Sequence, residues 1–264
     1  MVLLLLFNKS FSQKQNDFDS LRKYSYSLIG FSNEGLQMHP HGGTCFFVRK
    51  KSKIFLVTAK HVVNGCEGTY KNSYYPKMLT LAILDSNETP KAFIQVDISK
   101  IIDTTSCPDS TADIIAFETI DSNTSKLYSV ENFILPPFEN TDNIDMYGFP
   151  SETLIDSERH FRVPKASHIH IRKKNTVFTT FTYPNTKKLD STCLGIVSPD
   201  LKADTMYLHG YSGAPVFIKK YNSNKIRICG AFTTFGFAKY NKDYKYIGAA
   251  KIEYGIEQID KLLR

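Results

Sequence analysis

The chain is broken into short apolar runs, rich in β-branched and aromatic residues and bounded by turn-forming residues, which points to an all-β architecture. Lys53-Ile54-Phe55-Leu56-Val57-Thr58, Ile114-Ile115-Ala116-Phe117 and Ile226-Arg227-Ile228-Cys229-Gly230-Ala231-Phe232 are three such runs. Side chains of this kind suit a pleated, partly buried surface, and runs this short suit strands better than helices. With 264 residues, 15 of them Tyr and 19 Phe, the chain can bury a sizeable core. Helical spacing shows at the end, where Ile252, Ile256, Ile259, Leu262 and Leu263 mark a closing amphipathic helix. No internal repeat and no low-complexity tract interrupts the pattern.

One turn between these runs carries chemistry. Gly210-Tyr211-Ser212-Gly213-Ala214-Pro215-Val216-Phe217 sets a serine between glycines ahead of an apolar strand. Glycines permit a tight turn and a close backbone approach to a substrate carbonyl. The N–H groups of Gly210 and Ser212 can then converge on one point, as an oxyanion hole requires. A serine hydroxyl also needs a base. His61 is the best candidate, at the end of the apolar stretch Lys53 to Val63, read as a buried strand running into a short turn. A carboxylate must fix the tautomer of that imidazole. Asp113 fits, read as the first residue of the strand Asp113-Ile114-Ile115-Ala116-Phe117, where a charge needs a partner.

Four segments in this order resemble the chymotrypsin-fold (trypsin-like) serine peptidases of bacterial type. They are Gly43-Thr44-Cys45-Phe46-Phe47-Val48, Leu56-Val57-Thr58-Ala59-Lys60-His61-Val62, Ala112-Asp113-Ile114-Ile115-Ala116 and the Ser212 turn. The order His, Asp, Ser is that of this family and not of subtilisins or α/β-hydrolases. The resemblance implies an all-β fold of two consecutive six-stranded antiparallel β-barrels, with the active site between them and a C-terminal helix. The corresponding bounds are an N-terminal segment at 1–24, a first barrel at 25–125, a linker at 126–139, a second barrel at 140–250 and the helix at 251–264. It implies that His61 is the general base, Asp113 its orienting group, Ser212 the nucleophile, and Gly210 with Ser212 the oxyanion donors, with no cofactor. The implied reaction is hydrolysis of a polypeptide substrate through an acyl-enzyme. The alternatives are a catalytically silent peptide-binding module on the same fold and an esterase.

The resemblance also puts Met206 at the base of the specificity pocket and Thr233, Thr234, Phe235 and Gly236 along its wall, with Gly248 a weaker candidate. A methionine floor offers no charge to a basic side chain, so an uncharged preference is expected. Tyr211 stands where the digestive relatives carry an aspartate that pairs with a freed N-terminal amine. Activation by such an ion pair is therefore not expected, and the loop should be ordered by its own packing. Lys60 stands where many relatives have alanine. Since adjacent strand residues face opposite ways, it is read as a solvated lysine. Ala214 replaces a common glycine with little consequence.

Composition adds bounds. Lys and Arg number 33 against 26 Asp and Glu, a net charge of +7. The clusters Arg172-Lys173-Lys174 and Lys187-Lys188 read as solvated faces, and no nucleic-acid module accompanies them. The five cysteines, Cys45, Cys66, Cys107, Cys193 and Cys229, lack C-x-x-C spacing and are expected as free thiols, with Cys45–Cys66 the one pairing to check. His39-Pro40-His41 and His168-Ile169-His170 have strand-like spacing for metal ligands but read as surface or turn histidines, so no metal is expected. Val2-Leu3-Leu4-Leu5-Leu6-Phe7 resembles the end of a truncated secretory signal, which favours a secreted or periplasmic location over the cytoplasm. No segment is long enough to span a membrane.

Overall fold

A computed structural model describes residues 21–34, 37–64, 78–84, 90–97, 112–119, 127–131, 133, 143–150, 167–171, 177–182, 189–198, 210–219, 226–237 and 245–264. These residues are mostly β-structure in two sheets, with a closing helix, as the short apolar runs require.

The first sheet contains β1 (Tyr26–Glu34), β2 (Gln37–Lys50), β3 (Lys53–Thr58), β4 (Met78–Leu84), β5 (Pro90–Asp97), β6 (Ile115–Glu118) and β7 (Ser129–Val130). Its order is β5-β4-β1-β2-β3-β6, with β7 laid parallel along β2. A one-turn helix α1 (Lys60–Asn64) follows β3. The second sheet contains β8 (Asn143–Gly148), β9 (Ser167–Ile171), β10 (Val177–Thr182), β11 (Leu189–Ser198), β12 (Pro215–Lys219), β13 (Ile226–Phe237) and β14 (Lys245–Lys251). Its order is β10-β11-β14-β13-β12-β8-β9, all antiparallel. Helix α2 (Ile252–Leu262) follows directly. Among the described residues each sheet therefore has seven strands where six were expected, and closure into barrels is not seen. The extra strand of the first sheet, β7, falls in the stretch read as a linker.

The runs of the first sheet are continuously apolar because both faces of its central strands are buried. Cys45 and Phe47 of β2, Ile54 and Leu56 of β3, and Ile115 and Phe117 of β6 fill that sheet's own core. Their neighbours Phe46, Val48, Phe55, Val57 and Ala116 point the other way. There they meet Tyr147, Phe217, Ile228, Ala231 and Ala250 of the second sheet, and Ile252 and Ile259 of α2. A third cluster, including Ile144, Met146, Val216, Ile218, Ile247 and the ring of Tyr211, fills the second sheet's own core. One layer of side chains thus joins the two sheets and the helix.

The helix is anchored by more than its apolar stripe. Gln258 accepts a hydrogen bond from the Ala116 N–H (2.9 Å) and donates one to the Ile114 carbonyl (3.0 Å). Gly255 lets α2 approach Ile114 closely, since a Cβ there would stand 3.1 Å from Ile114 Cδ1. Among the described residues, no helix is long and apolar enough to cross a membrane.

Candidate active site

His61 is the second residue of α1, so the chain has already left the strand that carries it to the junction of the sheets. Its Nδ1 lies 2.7 Å from Asp113 Oδ2, and its backbone N–H donates to Asp113 Oδ1 (3.1 Å). The two oxygens of one carboxylate therefore fix both the ring and the backbone of the same residue. An ionised Asp113 holds the proton on Nδ1 and leaves the Nε2 lone pair directed away from the pair. The side chains are 15 % and 26 % exposed, shielded yet reachable from solvent. Asp113 precedes β6 by two residues instead of opening the strand, which lets its carboxylate turn back towards α1.

Ser212 occupies the turn between Gly210 and β12. Its carbonyl accepts a hydrogen bond from the Thr44 N–H of β2 (2.8 Å). Thr44 Oγ1 donates to the Gly210 carbonyl (2.7 Å) and accepts from the Phe149 N–H (3.0 Å). Gly213, at φ 87°, packs so closely that a Cβ would lie 2.0 Å from the Thr44 carbonyl oxygen and 2.9 Å from the Ala59 nitrogen. Only glycine fits that conformation and that space. Gly43 stands between the Val62 side chain and the Ser212 carbonyl in the same way. The serine turn of the second sheet is thereby seated on residues that flank His61.

The turn is also held from its own side. Gly213 N–H donates to the Phe232 carbonyl (2.7 Å), Phe232 N–H to the Ala214 carbonyl (2.8 Å), and Ala214 N–H to the Tyr211 carbonyl (2.7 Å). Tyr211 is 1 % exposed, edge-on to Phe232, with its ring over Gly148, where a side chain would collide with it. Gly210 has φ 95°. Among the described residues, neither the Gly210 N–H nor the Ser212 N–H donates to another protein atom.

The remaining expectations divide. Thr234, Phe235 and Gly236 lie on β13, paired with Gly248, Ile247 and Tyr246 of β14, directly after an irregularity in the ladder at Thr233. Met206, Cys66, Cys107 and the two basic clusters lie outside the described residues. Lys60 is 1 % exposed and not solvated, because strand alternation ends at Thr58 and Lys60 already belongs to α1. Cys45 is a free thiol, so a Cys45–Cys66 bridge is not made, and burial pushes its pKa well up. Cys193 and Cys229 are likewise free and buried. His39 and His41 lie within β2, not in a turn.

His168 and His170 are neither turn nor fully surface residues. Both lie on β9, half-buried, and both contact one oxygen of Asp145 on β8: His168 Nε2 at 2.9 Å and His170 Nδ1 at 2.7 Å. Burial alone would raise the Asp145 pKa. The two imidazole hydrogen bonds outweigh it and hold the carboxyl below its usual range.

Neither a protein-family model nor a curated protein matches the sequence. Solved structures do. A thermostable serine protease, AL20, from an extremophilic microorganism aligns at 12 % identity over 91 % of this chain and 97 % of its own, with a TM-score of 0.55. Mouse neuropsin, a serine protease expressed in the limbic system of the brain, aligns at 12 % identity over 92 % and 95 %, with a TM-score of 0.52. Both cover nearly the whole chain, so the likeness concerns the complete two-sheet arrangement. The chain has the fold of the trypsin-like serine proteases.

Proposed function

We propose that this chain is a serine endopeptidase in which His61, Asp113 and Ser212 act as a triad. The observation that carries this reading is the His61–Asp113 pair, 2.7 Å apart at Nδ1 and seated beside the turn that bears Ser212. Ser212 Oγ attacks the scissile carbonyl carbon while His61 Nε2 takes its proton. Asp113 holds the ring and stabilises the imidazolium without itself being protonated. The Gly210 and Ser212 N–H groups accommodate the oxyanion. His61 then protonates the departing amine, and water repeats the sequence on the acyl-enzyme to release the acid. The machinery needs no cofactor.

The substrate is an extended polypeptide. Its side chain before the cleaved bond enters a pocket formed by Met206, Thr234, Phe235 and Gly236, which favours an uncharged group. Tyr211 supports an enzyme that needs no new N-terminal amine, because the ring fills the second sheet's core and anchors the loop without one. The proposed domains are a first barrel at 25–125 and a second at 140–250, which contains the Ser212 turn, joined by a linker at 126–139.

Replacement of Ser212 by Ala should lower turnover by a factor on the order of 10⁶, as expected when a triad acts as a unit. A fluorophosphonate probe should label the parent protein and not Ser212→Ala. Undiminished peptide cleavage by the variant overturns the proposal. A parent protein that binds peptide yet resists the probe would instead be a silent binding module.

A further inference from the structure

A second cluster of chemistry-bearing side chains lies outside the triad, on the β8–β9 ladder. Asp145 is directly opposite His170 in the antiparallel register, and Tyr147 is opposite His168. His168 and His170, two residues apart on one strand, present both rings to the same face, the face to which Asp145 also points. The donor atoms all lie within 4.8 Å of one another. We propose that Asp145, His168 and His170 form a binding site for one divalent transition-metal ion of the zinc class.

The donor set decides the class. Two imidazole nitrogens and one carboxylate oxygen suit zinc and its late first-row neighbours, whereas calcium and magnesium prefer all-oxygen sites. Ligands at about 2.0–2.1 Å from a tetrahedral zinc stand about 3.4 Å apart. The two nitrogen–oxygen edges of this triangle, 2.9 and 2.7 Å, need only open by roughly half an ångström to reach that. The rings, 25 % and 31 % exposed, can supply this shift by small rotations. Each ring binds as the neutral tautomer with its proton on the far nitrogen. A water molecule completes a four-coordinate shell.

The surroundings are those of a prepared site. Asp145 is only 4 % exposed, and a buried carboxylate favours a cation placed against it. The Tyr147 ring stacks on His168 at 4.4 Å and 17°, fixing the plane of one ligand. In the second sheet β9 ends the path, so among the described strands it pairs with β8 alone. An ion held by both strands would pin that edge. It would also stiffen β8, whose last residue Gly148 and the following Phe149 support Tyr211 and Thr44 beneath the serine turn.

The test is calorimetric titration of chelator-treated Ser212→Ala protein with zinc chloride, a background that removes self-cleavage and makes the readout independent of proteolysis. One equivalent should bind, and the thermal midpoint should rise with zinc. His168→Gln and His170→Gln should each weaken binding by about tenfold or more and abolish the rise in midpoint. These half-exposed positions keep the protein folded even if Asp145→Asn does not. Absence of saturable binding in the parent overturns the proposal. So does binding that survives the double His168→Gln/His170→Gln variant but is lost in His61→Gln, which would put the ion at the triad instead.

Discussion

At the scale of single residues, the double grip of Asp113 on His61 makes a specific demand. Replacing the carboxylate by an amide keeps the shape but offers an N–H where an acceptor is needed, so the ring is held in the wrong tautomer or released. Asp113→Asn should therefore lower kcat by a factor on the order of 10⁴ with little change in KM. Steady-state kinetics on a peptide amide measure this, and a loss of less than about tenfold would argue against the assigned role. The nearness of Asp113 to His61 is legible only through the order of the motifs, since the two lie on different segments. Lys60 shows where such reading fails. Alternation along a strand says which side a residue faces only while the strand lasts, and it stops two residues earlier. His168 and His170 show another failure. Their partner Asp145 sits on the neighbouring strand, and the signal lay in an acidic residue inside the apolar run Ile144-Asp145-Met146.

At the scale of elements, α2 acts as a brace for the strand that follows Asp113. The amide of Gln258 reaches the main chain on both sides of Ile115, two residues beyond Asp113. Truncation to Ala leaves an N–H and a carbonyl of this edge without protein partners and should cost about 1–3 kcal/mol of stability. Chemical denaturation measures that cost. Activity of Gln258→Ala should fall while labelling at saturating probe persists, because the group is positioned less well but still present. The helix itself is legible from the spacing of Ile252, Ile256 and Ile259. Its amide brace is not, because a polar residue on the flank of an amphipathic helix looks solvated in sequence. The strands are legible as elements for the same periodic reasons. Their number per sheet is not, since β7 has only two residues and pairs through the backbone.

At the scale of the whole molecule, the middle layer of side chains makes the sheets one cooperative unit. Phe46, Phe55 and Val57 from the first sheet share contacts with Tyr147, Phe217 and Ile228 from the second. Thermal unfolding should therefore give a single transition whose calorimetric and van't Hoff enthalpies agree. Two separated transitions would show that this layer does not couple the halves. The fold class follows from the sequence because patterning decides it. The docking of one sheet on the other depends instead on close approaches at Gly43 and Gly213, and a glycine in sequence does not say what it touches.

Thr44 belongs to the first half of the chain, yet its main chain and hydroxyl hold both Ser212 and Gly210. The two halves are therefore not interchangeable parts. A chimera that grafts this second half onto the first half of another protein of the same fold must bring an N–H and a hydroxyl to that one position. A graft with valine there would preserve every strand and the N–H bond to Ser212, yet leave the Gly210 carbonyl and the Phe149 N–H without the hydroxyl that joins them.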